Sequence, residues 1–146
     1  MKCKELQVGD WIQDKNGCPM QITSVGKDYA CANFDVFREE DNQPEGIPLT
    51  KEMLDANGFR YGNDDCGFGM YFRSRIENCD SESLMYYIRV TWVESSEGRK
   101  PVSIYCVGWE NGENSTVTIR REFYVHTLQH ALRLVGLSEI ADNFKV

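Results

Sequence analysis

The sequence predicts a strand-rich α+β protein, and three observations carry that expectation. Runs at 84–93, 102–109 and 116–123 are separated by the turns Ser95-Ser96-Glu97-Gly98 and Glu110-Asn111-Gly112-Glu113, and they carry the alternation of strands. After Tyr124 the period lengthens to about 3.6, placing Val125, Leu128, Ala131, Leu132 and Val135 on one stripe. The first 34 residues break into short strands between tight turns. The expected C-terminal architecture is thus a three-stranded antiparallel meander whose chain turns back as a helix, about 125–135, to cover the sheet.

The N-terminal elements follow from their turns. Asn16-Gly17 is a strong hairpin signal, because a two-residue type I′ turn needs positive φ at both central positions. Gly26-Lys27-Asp28 is a second turn, leading into a short strand from Tyr29 to Phe34. Short strands in this rhythm, opening with Val8-Gly9-Asp10-Trp11, predict a small SH3-like β subdomain over residues 1–48. Residues 49–146 form the expected α+β unit.

From Asp35 to Gly46 the chain is charged and carries Pro44, which predicts an exposed loop. Thr50 then caps a short helix of about 51–57, with Glu52 in its first turn and Asn57-Gly58 as its stop. Residues 61–83 read as a solvated, glycine-containing acidic stretch around one strand, Gly69 to Arg73. Beyond Gly136-Leu137-Ser138 a short tail is expected. In the run from Leu84, both faces are largely apolar: Leu84, Tyr86, Ile88, Val90 and Trp92 on one, Met85, Tyr87 and Val93 on the other. A sheet with one wet face alternates more cleanly. The second face therefore needs a cover, the N-terminal barrel or a second subunit, and the chain is expected to fold as one cooperative body.

Composition narrows the function classes. A chain of 146 residues with seven Phe, seven Tyr and three Trp has enough apolar bulk for a packed core. Net charge is −7, and the acidic surplus lies before residue 84, much of it within Asp35 to Glu45. Such a surface repels phosphate backbones and counts against direct nucleic-acid binding. No apolar run approaches membrane-spanning length, and the start Met1-Lys2-Cys3-Lys4-Glu5-Leu6-Gln7 lacks the apolar core of a secretory signal, so a cytoplasmic location is expected. The six cysteines at 3, 18, 31, 66, 79 and 106 make no CxxC pair and are expected to be free, small, half-buried thiols.

Catalytic signatures are sparse. The sequence holds no Gly-x-Ser-x-Gly elbow, Walker loop or GxGxxG, and Glu39-Glu40 and Asp64-Asp65 fall in loop-like segments with nothing to raise a pKa. Asn63-Asp64-Asp65 lacks the spaced oxygens and closing Glu of a calcium loop. His126 and His130 are spaced i, i+4 as two zinc ligands would be, but the helix stripe puts them opposite the core, beside Arg133, with no HExxH. An exposed or capping role is the reading taken. Trp11, Tyr105, Trp109 and Arg120, with His126 and His130, make up the candidate interaction surface, since Tyr, Trp and Arg dominate protein interfaces. Packing of these aromatics beneath the barrel is the competing reading.

Three motifs span nearly the whole chain: Leu6-x-x-Gly9-Asp10-Trp11-Ile12, Ile47-Pro48-Leu49-Thr50-x-Glu52-x-Leu54 with Gly58-Phe59, and Tyr124-Val125-His126-x-Leu128-Gln129. On these the sequence resembles a family of short uncharacterised proteins of Bacteroidetes genomes, prophages and other mobile elements. It departs from their pattern in Asp10, where Asn is common, and in a long acidic insertion before Ile47. The resemblance implies a shared fold and a mobile-element origin, and it brings no activity. The expected function is a non-catalytic accessory protein binding another protein, without cofactor or metal. A nucleic-acid-associated protein using the barrel, a small enzyme of unknown reaction, and a homodimer are the alternatives.

Overall fold

The computed structural model of the chain describes residues 2–33, 35–38, 43–64, 67–75, 85–95, 98–110, 113–120 and 123–146; the side chains at 60–64, 67–75, 85–87, 92–95, 98–102, 108–110 and 113–114 lie outside that description. The fold is α+β and strand-rich, and the described residues build two five-stranded antiparallel sheets and three short α-helices.

A 3-10 turn at Cys3–Glu5 opens the chain, and β1 (Trp11–Gln13), β2 (Pro19–Val25), β3 (Tyr29–Ala32), β4 (Asp35–Arg38) and β5 (Glu45–Gly46) follow. These five form the curled N-terminal sheet in the order β4-β3-β2-β1-β5. Its core is Cys3, Leu6, Ile12, Met20, Ile22, Ala30, Ala32 and Phe37. The β1–β2 connection is a hairpin, but not the two-residue type I′ turn. Gly17 has φ +81 while Asn16 does not adopt positive φ; Gly17 N donates to Asp14 O, and Asp14 N to Cys18 O. That is a three-residue loop whose single left-handed position falls on glycine. The Asp14 carboxylate accepts the N–H groups of Asn16 and Cys18, both at 2.8 Å, bonds that hold it below its ordinary pKa. At Thr23 the ladder shifts register between Ile22 and Ser24, a bulge that bends the sheet.

The segment expected as one exposed loop, Asp35 to Gly46, contains two strands instead. In β4 only Phe37 points into the core, so three of its four side chains are exposed and the strand reads as polar. The two-residue β5 returns beside β1, pairing Ile12 with Gly46 and Gln13 with Glu45. The candidate strand end at Phe34 lies outside the described residues.

Helix α1 (Lys51–Ala56) begins where Thr50 Oγ1 accepts Met53 N at 3.2 Å. It ends at Gly58, φ +84, with Phe59 N bonded to Leu54 O and Gly58 N to Asp55 O. That Schellman arrangement buries Leu54 and Phe59 in the second core. The C-terminal sheet then runs β10-β9-β8-β7-β6, from β6 (Arg60–Asp64), β7 (Gly67–Arg75), β8 (Met85–Ser95), β9 (Gly98–Glu110) and β10 (Glu113–Ile119). The expected three-stranded meander is therefore the end of a five-stranded one. Arg60–Asp64 pairs with β7 as a polar edge strand, and such a sequence shows no alternation to read. In β9 Pro101 sits at a register shift, where Val102 is left without an opposite residue and proline's missing N–H is tolerated.

Helix α2 (Val125–Leu134) covers one face of this sheet, burying Val125, Leu128, Ala131 and Leu132 against Ile88, Val90, Ile104 and Cys106. It stops at Gly136 (φ +83) through the same arrangement, Leu137 N to Leu132 O. The tail is not irregular: α3 (Ser138–Asp142) folds back onto α2, and Leu137, Ala141 and Phe144 enter the core. Among the described residues no helix is long and apolar enough to cross a membrane. Of the described cysteines, Cys18, Cys31 and Cys106 are free thiols, and the buried Cys3 donates its Sγ–H to Phe37 O.

Candidate functional site

Among the described residues the N-terminal sheet docks on α2, through β1. Met85, Tyr87 and Val93, whose exposure motivated the expected cover, have side chains outside the described residues. The helix face carrying His126, His130 and Arg133 is accordingly an internal seam, with His126 buried and His130 only partly accessible. Helical periodicity correctly turns these residues away from the C-terminal sheet, but it cannot reveal that a second sheet lies on the other side of α2.

Asp10 is the centre of the seam and is fully buried. Its Oδ2 accepts Gln7 N at 2.8 Å and lies 2.6 Å from His130 Nε2, while its Oδ1 accepts Arg133 Nη1 at 2.6 Å. The guanidinium spans two carboxylates, because Arg133 Nη2 also donates to Asp142 Oδ1 at 2.9 Å. Burial and these carboxylate bonds act in opposite directions on Arg133, and the carboxylates hold its pKa above the ordinary value. Burying a carboxylate is tolerable only when its lone pairs are answered, and here three donors answer them.

Gln129 sits one turn away and is also fully buried. Its Oε1 accepts Trp11 N at 2.9 Å, and its Nε2 donates to Gly9 O and Ala141 O, each at 2.9 Å. Trp11 closes the arrangement by donating its indole Nε1 to Phe144 O at 2.9 Å. Nearby, the His126 ring stacks on Tyr124 at 5.5 Å and meets His130 edge-on at 5.9 Å. Burial pushes the His126 pKa down to about 4, so the ring is neutral at pH 7.

The second motif, from Ile47, joins the same place. Pro48 bridges Tyr124, Leu49 N donates to Phe123 O, and Val125 N donates to Ile47 O, so Ile47–Leu49 anchors the start of α2. All three sequence motifs thus meet around α2. Asp10, Gln129, Arg133 and Asp142 escaped the candidate set, although Gly9-Asp10-Trp11 and Leu128-Gln129 were already conspicuous as motifs. Asp142 gave no signal, since its helix was not expected.

The candidate surface residues separate into two groups. Trp11, His126 and His130 belong to the seam. Tyr105 lies on the sheet face away from α2, with the Arg89 guanidinium 5.8 Å from its ring centroid, and Arg120 is exposed just beyond β10. The side chain of Trp109 is outside the described residues. No group of three or more His, Cys, Asp or Glu suited to a metal occurs among the described residues. No family model, curated protein or solved structure matches the chain.

Proposed function

We propose that the chain is a non-catalytic interaction protein, an accessory of the mobile elements whose small proteins it resembles, and that it binds another protein through the face of its C-terminal sheet turned away from α2. The observation that carries this reading is the make-up of that face. Ile88, Val90, Ile104 and Cys106 are buried beneath α2; on the opposite face Val107 is buried, Arg89, Thr91, Ser103 and Tyr105 are half-buried, and Thr116 and Thr118 are exposed. The ladder aligns Tyr71, Arg89, Tyr105 and Thr118 in one row of backbone partners, an aromatic and cationic composition suited to interfaces. The polar cluster at the seam supports the same reading, because its carboxylate, guanidinium and amide groups bond to one another and to backbone.

The N-terminal sheet is read here as an SH3-like barrel. Five short strands in the order β4-β3-β2-β1-β5, the last returning beside the first, support that identity. Its role in this proposal is to brace α2.

Affinity capture from cells carrying the gene tests the proposal. A partner retained by the wild type should be lost from the Tyr105→Ala, Arg120→Ala double variant while its melting temperature stays within a few degrees. Equal retention of every partner by that variant would rule out this face.

A further inference from the structure

We propose that the seam between the N-terminal sheet and α2 is an acid-operated latch, closed while His126 is neutral and loosened when it takes up a proton. The geometry is a cluster at an interface. His126 is 7% exposed, its ring held between Tyr124 and His130, and its Nδ1 is buried without a hydrogen-bond partner. A proton placed on that nitrogen would create a buried charge with no acceptor to receive it.

The groups facing His126 do not relieve that charge. Asp10, from the segment leading into β1, is the natural counter-ion, but its Oδ2 is taken by Gln7 N and His130 and its Oδ1 by Arg133. His130, from α2 itself, disfavours a positive charge on His126. Glu5, from the 3-10 turn, favours protonation, yet burial outweighs it and Asp10 together. The sign follows from linkage. An unfolded or released histidine protonates near pH 6.5 and the seated one near 4, so the closed form binds fewer protons between those values. Closure is fully supported above about pH 6.5 and is lost progressively as pH falls toward 4.

The opening reports on itself through Trp11, whose indole N–H donates to Phe144 O and whose backbone N–H donates to Gln129. Hydrogen exchange of these two protons in the full chain, corrected for intrinsic rates, is the measurement, read against the same protons in His126→Phe, which keeps an aromatic ring and cannot take a proton. Global unfolding releases His126 as well, so the core amides of Ile88 and Ile104 serve to show that Trp11 exchanges through a smaller opening, being less protected than they are at every pH. Between pH 7.5 and 5 the protection at Trp11 should fall on the order of tenfold more in the wild type than in His126→Phe. An equal fall in the two proteins, or Trp11 protection equal to that of the core amides throughout, would overturn the latch. The imidazole resonances of the wild type give an independent reading should His126→Phe fail to fold: His126 titrating at an ordinary value near 6.5 in the folded protein would also overturn it.

Discussion

The side-chain amide of Gln129 accepts the backbone N–H of Trp11 at 2.9 Å, joining residues 118 apart in sequence. The same amide holds Gly9 O and Ala141 O, so one α2 side chain fastens both the strand ahead of it and the helix behind it. An isolated curled sheet with a core of eight residues is a marginal unit. Bonding it to α2 lets the larger core share its stability.

Replacing Gln129 should therefore cost more than its size suggests. Gln129→Leu conserves volume but leaves Trp11 N unanswered in a buried place, at about 1–3 kcal/mol, while Gly9 O keeps Gln21 Nε2 and Ala141 O keeps Phe144 N. Urea unfolding should show a loss of about 2 kcal/mol, and a loss below about 0.5 kcal/mol would mean that water replaces the amide freely.

Asp10 and Arg133 should be strongly coupled. Asp10→Ala removes the acceptor of three donors and leaves a largely buried guanidinium with only Asp142, so a loss of about 3 kcal/mol is expected. A double-mutant cycle with Arg133→Ala should return an interaction energy of about 1 kcal/mol or more. Asp10→Asn retains one acceptor oxygen and should fold, with a smaller coupling to Arg133.

The stripe of α2 predicts a simple truncation. Leu128 is fully buried, and Leu128→Ala should destabilise by about 2–5 kcal/mol in thermal or urea melts. A melt equal to wild type would show that α2 does not cover the C-terminal sheet.

Thiol reactivity separates the described cysteines by burial. Cys18 is exposed and should react fully with an aqueous disulfide reagent in the folded state, while Cys3 and Cys106 should wait for unfolding. Burial pushes the Cys106 thiol up from 9.0 to about 12. Because the unfolded thiol ionises first, the stability it contributes is complete below pH 9 and falls as pH rises toward 12. Rapid native labelling of Cys106 at pH 8 would contradict its placement.

What was legible in the sequence follows the strength of the pattern. The stripe Val125–Val135, the Thr50 cap and the Gly58 stop describe helices whose neighbours in sequence determine them, and the structure places α1 and α2 within a residue or so of the expected bounds. Strands β4, β5 and β6 lie at or near sheet edges, where backbone pairing rather than alternating burial defines them, and their polar sequences resembled loops. Helix α3 follows Leu137, Ile140, Ala141 and Phe144 at helical spacing, a signal too short to stand out from a tail. The seam was hidden for a different reason. Asp10, Gln129 and Arg133 meet only because the N-terminal sheet closes over the polar side of α2, and no local pattern encodes a contact across more than a hundred residues.

Differential scanning calorimetry of the full chain tests most directly whether the seam makes one body of the two sheets. A single transition is expected, independent of protein concentration, and Gln129→Leu should lower its midpoint without dividing it. Two well-separated transitions in the wild type would contradict the account, for they would show the two sheets melting independently across the Asp10–Gln129 seam.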